Sequence, residues 1–138
     1  MMKFKNSELV AVSQFLKNAE LTPKVSRVRT KLRKCIQSKI DELYKDEIEL
    51  VEKYGERDDK GELVEKDGSF SLVAKTAIEY HQEKNILLEE EVSINVDELT
   101  SKLSLLLEAF DNSEEKVSGS DAEILDLIMD KLESEVGK

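Results

Sequence analysis

The sequence predicts a mainly α fold in one domain covering residues 1–138: about four helices including one long helix, roughly residues 23–54, with a minor two-stranded β element. Three observations predict it. Apolar residues recur every three to four positions through most of the chain. A Thr22-Pro23 start and a Gly55 stop bracket an unbroken helical pattern. Two short segments, residues 2–6 and 92–96, alternate apolar and polar residues with the period of a half-exposed strand.

Met2-Lys3-Phe4-Lys5-Asn6 is the first strand, and Asn6 or Ser7 then caps a helix with Leu9, Val12, Phe15 and Leu16 inward, fading near Asn18. At Thr22-Pro23 a Thr oxygen is available as N-cap, and Pro at the first helical position loses no needed N–H. Val25, Val28, Leu32, Ile36, Ile40, Leu43, Leu50 and Tyr54 follow at close to helical spacing, with Glu47 alone breaking the stripe. At about 1.5 Å per residue this helix runs roughly 45 Å, longer than a compact domain of this size needs.

Residues 55–71 lose the helical period. Asp59-Lys60-Gly61 and Lys66-Asp67-Gly68 are turn signals, and Leu63-Val64 with Phe70 and Leu72 predict a small hairpin about Asp67-Gly68. Val73, Ala77, Tyr80 and Leu87-Leu88 resume the helix, expected antiparallel to the long one. Val92-Ser93-Ile94-Asn95-Val96 is the second strand and is expected to pair with residues 2–6. Asp97 starts a helix through Leu99, Leu103, Leu106-Leu107 and Phe110, and a polar connection leads to Ser120-Asp121-Ala122-Glu123, which has the form of a capping box. Ile124, Leu127-Ile128 and Leu132 give the last helix its apolar face.

With 39% apolar and 38% charged residues the chain can build a modest core, which argues against wholesale disorder. One Cys excludes an internal disulfide framework and a Cys-based zinc cage. The longest apolar run, residues 9–12, is far short of the roughly 20 residues that span a bilayer. The two early lysines have no apolar segment behind them, so no secretion and no membrane partner are expected.

No catalytic constellation emerges, and no cofactor or metal is expected. His81 has no second His, nucleophile motif or Gly-rich turn near it, and reads as an ordinary helix histidine. Cys35, beside Ile36, reads as a small hydrophobe. Asp58-Asp59-Lys60-Gly61 lacks the alternate oxygen ligands of a calcium loop, and phosphate-loop and dinucleotide fingerprints are missing.

Charge is the informative feature. The formal net charge of −10 divides into +7 over residues 1–45, with 11 basic and 4 acidic side chains, and −17 over residues 46–138, with 10 and 27. Within residues 24–39, Lys24, Arg27, Arg29, Lys31, Arg33, Lys34 and Lys39 occur with no acid among them. On a helical wheel Lys24, Arg27, Lys31 and Lys34 form one stripe beside the apolar face, with Arg29 on the other flank. Lys24, Arg27, Arg29, Lys31 and Lys34 are therefore candidate partner-binding residues. Direct binding of nucleic acid is disfavoured, because the acidic remainder repels a polyanion and no aromatic residue interleaves the cations. Glu89, Glu90, Glu91, Asp111, Glu114 and Glu115 are candidate acidic surface.

Three segments carry a likeness to known proteins: residues 2–8 (Met-Lys-Phe-Lys-Asn-Ser-Glu), residues 26–32 (Ser-Arg-Val-Arg-Thr-Lys-Leu), and the turn region from Lys53-Tyr54-Gly55 to Gly68. Together they resemble a family of short uncharacterised proteins encoded by tailed phages and prophages of low-GC Gram-positive bacteria. Ser26, Arg27, Arg29 and Thr30 look like its signature. The resemblance implies a phage product in the host cytoplasm, from a late or tail module or a set of host-takeover accessories. It transfers no catalytic residue, and Arg29 is expected to bridge to a carboxylate on a neighbouring helix. The function expected is non-enzymatic protein–protein interaction, with a phage or host protein or a second copy as partner. The alternative is an acidic nucleic-acid-mimicking inhibitor of a host defence or DNA-processing enzyme, of anti-CRISPR or anti-restriction type.

Overall fold

The computed structural model describes residues 1–66, 69–70, 72 and 76–137. Asp67 and Gly68 at the predicted turn, and Val73 at the predicted resumption of the helix, lie outside the described residues. Five α-helices stand where about four were expected. They match the five helical segments met along the sequence, with breaks before Pro23 and before Gly119, the latter at φ +59°. The residues fall into two compact units, Met1–Ile40 with Glu91–Lys138, and Asp41–Glu90.

In the first unit, β1 (Met2–Lys5) pairs antiparallel with β4 (Glu91–Ile94), so the pairing expected from the two alternating segments is present. The register sets Met2 opposite Ile94 and Phe4 opposite Val92, which turns Met2, Phe4 and Ile94 into the core and leaves Lys5 opposite Glu91 at the surface. A one-turn 3₁₀ segment, Asn6–Glu8, leads into α1 (Leu9–Asn18). Glu8 stands at the N-cap position of α1, where Asn6 or Ser7 was expected, and its Oε1 accepts from Lys5 N at 2.7 Å at the start of the 3₁₀ turn.

The helix α2 (Pro23–Tyr54) follows, its 32 residues spanning about 48 Å. A second 3₁₀ turn, Asp97–Leu99, precedes α4 (Leu103–Asp111), where one helix from Asp97 was expected. Asn95 supplies the local bond, its Oδ1 accepting from Asp97 N at 2.9 Å. The last helix, α5 (Gly119–Val136), starts one residue before the predicted capping box. Ser118 is its N-cap and makes no side-chain cap bond, because Gly119 carries the turn and places Ser120 inside the helix. Val28, Leu32 and Ile36 of α2 join Leu9, Val12, Leu16, Leu103, Leu106, Ile128 and Leu132 in one apolar cluster with the inner residues of β1 and β4.

The second unit holds the end of α2, two short strands and α3 (Ala77–Glu89). Gly55 N closes the helix on Val51 O at 2.6 Å. Only glycine fits at this position, since an added Cβ would sit 2.5 Å from Val51 O and 2.8 Å from Leu63 Cδ2. β2 (Glu65–Lys66) pairs antiparallel with β3 (Ser69–Phe70), and Arg57 with Leu63 and Gly55 with Leu72 add single bridges. The antiparallel pairing expected in this segment is present, its first strand beginning two residues after Leu63. Tyr54 and Tyr80 meet edge to face at 6.4 Å, and Thr76 Oγ1 donates to Tyr54 O at 3.4 Å.

Candidate functional site

Two side chains fix the start of α2, and with it the site. Arg29 Nη1 donates to Leu16 O at 2.7 Å and Ala19 O at 2.8 Å, and its Nη2 donates to Ser26 Oγ at 2.7 Å. The last carbonyls of a helix have no intrahelical donor. A guanidinium at that end satisfies them and complements the negative end of the helix dipole. Arg33 Nε adds a bond to Ser13 O at 3.1 Å. The expected partner of Arg29, a carboxylate, is therefore replaced by the carbonyls that end α1. Arg29 works inside the fold, and Ser26 of the signature segment is its hydrogen-bond partner.

With Arg29 held on α1, the outer face of the same turns carries Lys24, Arg27 and Lys31. Positions i, i+3 and i+7 stack along one stripe. These three surround a cavity of about 610 Å³ together with Lys102, and Pro23, Val28 and Leu105 supply its apolar lining. Lys102 is brought there by the turn before α4: Leu99 O accepts from Lys102 N at 2.7 Å, and Lys102 O from Leu105 N at 3.0 Å. The four cations lie at the surface, while Val28 is buried.

Among the described residues no carboxylate lines this cavity, although the chain holds 31. Four like charges around an apolar floor repel one another and attract an anion, and low-polarity walls concentrate their field. Of the predicted stripe, the structure gathers Lys24, Arg27 and Lys31; Lys34 continues along α2 as an exposed residue outside the lining, and Arg29 turns inward. Lys102 escaped sequence reasoning. Its signal was its isolation, as the one cation between Glu91 and Glu115.

A second cavity, of about 850 Å³, opens between the end of α1, residues 19–22, the end of α4 and the start of α5. Phe15 and Phe110 lie in its wall, ring centroids 6.1 Å apart and tilted by 54°. Glu20, Glu115, Lys116 and Asp121 stand around it. Of the candidate acidic residues Glu115 lines this second cavity; Glu89, Glu90, Glu91, Asp111 and Glu114 are exposed.

The remaining candidates for chemistry stay apart. His81 is exposed, its ring 5.3 Å from that of Tyr80, and Cys35 is half-buried against the core of the first unit. Asp58 holds a tight turn, its Oδ1 accepting from Lys60 N at 2.9 Å and Glu62 N at 3.0 Å. Among the described residues no group of three or more His, Cys, Asp or Glu side chains is placed to hold a metal ion. No helix among them is long and apolar enough to cross a membrane.

Residues 1–138 match the model of a family described as "Protein of unknown function (DUF1617)". The chain belongs to the DUF1617 family. No curated protein and no solved structure matches it. The basic cavity of this DUF1617 chain therefore has to be interpreted from its own residues.

Proposed function

We propose that this DUF1617 protein is a non-enzymatic protein-binding protein of phage or prophage origin, acting in the host cytoplasm, in a late or tail module or as a host-takeover accessory. Its partner is a phage or host protein with an acidic surface, held at the groove formed by Lys24, Arg27, Lys31 and Lys102. The observation that carries the reading is the acid-free ring of four cations on an apolar floor, in a chain with net charge −10. The phage setting is supported by the likeness of residues 2–8, 26–32 and the turn region to phage-encoded proteins. Capture from infected-cell lysate by the wild-type chain and by the K24E/R27E/K31E variant tests it. The expected result is a defined partner that the variant no longer retains and that wild type releases as salt rises. Equal retention by both chains overturns the reading.

A second reading, the acidic mimic of nucleic acid, draws on a different region. Residues 41–90 carry 16 acidic and 7 basic side chains, net −9, and Glu42, Asp46, Glu49 and Glu52 are exposed along α2. In that case the retained protein is a nuclease or DNA-binding protein, lost on neutralising these carboxylates and unaffected by K24E/R27E/K31E.

A further inference from the structure

The two cavities described above have no lining residue in common, yet their linings adjoin along the chain at two places. On one wall Lys102, Leu105 and Ala109 occupy positions i, i+3 and i+7 of the α4 region, a single helical face; Lys102 and Leu105 line the first cavity, Ala109 the second. On the other wall consecutive residues make the join, Leu21 and Thr22 lining the second cavity and Pro23 and Lys24 the first. We infer that the cavities form one furrow and that its occupant is an acidic amphipathic helix of a protein partner, an inference that rests on the protein-binding reading above.

Charge complementarity specifies that occupant. At the first end stand four cations with no carboxylate. Past Leu105 the lining includes Leu21, Phe110 and Phe15, and Glu20, Glu115, Asp121 and Lys116 also line this second part. A fitting helix sets carboxylates over Lys24, Arg27, Lys31 and Lys102 and lays an apolar pair, one turn apart, over Leu105 and Phe110. This is the helix-in-groove mode, read as anchors at i, i+3 or i+4. From Lys102 to Phe110 the α4 side runs about 12 Å, a little over two helical turns. A nucleic acid strand fits poorly, because Glu20, Glu115 and Asp121 in the lining of the second part would repel its phosphates. A small anion leaves the apolar length of the furrow unused.

The test is selection of the full chain against a displayed library of random peptides about 12 residues long, roughly 18 Å as a helix. Enriched sequences are expected to carry at least two Asp or Glu toward one end and an apolar pair at i, i+3 or i, i+4. Amide shifts on adding such a peptide should run from Lys24–Lys31 through Lys102–Phe110 to Ile124. K24E/R27E/K31E should weaken the peptide about tenfold or more, since three exposed pairs at several tenths of a kcal/mol each sum to that factor. A109E, checked for an unchanged melting curve, should weaken it as well by obstructing the second half. The inference is overturned by enrichment of peptides without acid, by failure to enrich any sequence, by shifts confined to Lys24–Lys31 or to residues 41–90, or by labelled DNA or RNA displacing the peptide. If the lysate partner depends on the cations while the shifts stop at Lys31, this inference falls and the protein-binding reading stands. Peptide shifts along the whole furrow with a lysate partner indifferent to K24E/R27E/K31E support the furrow and remove the proposed function.

Discussion

The two halves of α2 both carry an apolar stripe, broken in the second half by Glu47, and differ in how deeply it is buried. In the first half Val28, Leu32 and Ile36 are at most 3% exposed, whereas in the second half, among the described residues, burial stops at Leu43 and Tyr54, 7% and 8% exposed. The difference lies in what the rest of the chain brings to each half. Residues 1–40 and 91–137 bring a strand pair and three helices, and fifteen buried apolar side chains form one cluster there. Residues 41–90 bring a short hairpin and α3, a helix with no buried side chain and with Ile78 and Ile86 exposed. Helical periodicity therefore specifies which face can be buried, and topology decides whether anything arrives to bury it.

Charge divides along the same line. Residues 1–40 carry 10 basic and 2 acidic side chains, net +8, and residues 91–138 carry 4 and 13, net −9. The first unit is thus nearly neutral as a whole, with four of its 14 cations at one groove, while residues 41–90 carry −9 with few buried groups to offset the repulsion. Opposite net charges within one unit are what the asymmetry of the sequence corresponds to in space.

The largest effect that distinguishes the units is cavity formation. Leu132→Ala, at a fully buried position, should cost about 3 kcal/mol or more by urea unfolding and lower amide protection throughout the first unit. Leu43→Ala should cost visibly less and lower protection only in residues 41–90. Equal costs would erase the contrast. Next comes Arg29→Ala, expected to destabilise by about 2 kcal/mol, because three acceptors lose a charged donor at once. Arg29→Lys should recover little of this, since an ammonium lacks the planar fork; full recovery would show that charge alone suffices.

How much of this was legible in the sequence depended on whether a signal was local. The β1–β4 pairing was, because alternation over residues 2–6 and 92–96 has one buried register. So were the start of α2 at Thr22-Pro23 and its end at Gly55. The cap at Ser120 failed because Gly119 adopts a conformation that spacing alone does not reveal. The carbonyl partners of Arg29 lie 10 and 13 residues back at the end of another helix, and Lys102 reaches Lys24 only through tertiary structure. Helix faces can be read locally; what meets across two helices cannot.

Smaller effects sharpen the picture of the second unit. Gly55→Ala should destabilise it by about 1–3 kcal/mol, through the clash with Val51 O and Leu63, with little change in protection of residues 1–40. Gly61→Ala, at φ +80° in open space, should cost about 1 kcal/mol by the same measurement, strain being its only penalty. The smallest change in stability belongs to the groove itself. Lys24→Glu, Arg27→Glu and Lys31→Glu should each shift unfolding by no more than about 0.5 kcal/mol, as substitutions of exposed side chains do, or slightly stabilise by relieving repulsion.

The central claim, that binding is a property of the first unit's groove, is tested most directly by amide hydrogen exchange of the chain alone and saturated with its captured partner. The account predicts new protection in residues 23–31 and 102–110, with residues 41–90 exchanging as in the free chain. Protection centred on residues 41–90, with residues 23–31 unchanged, would contradict it.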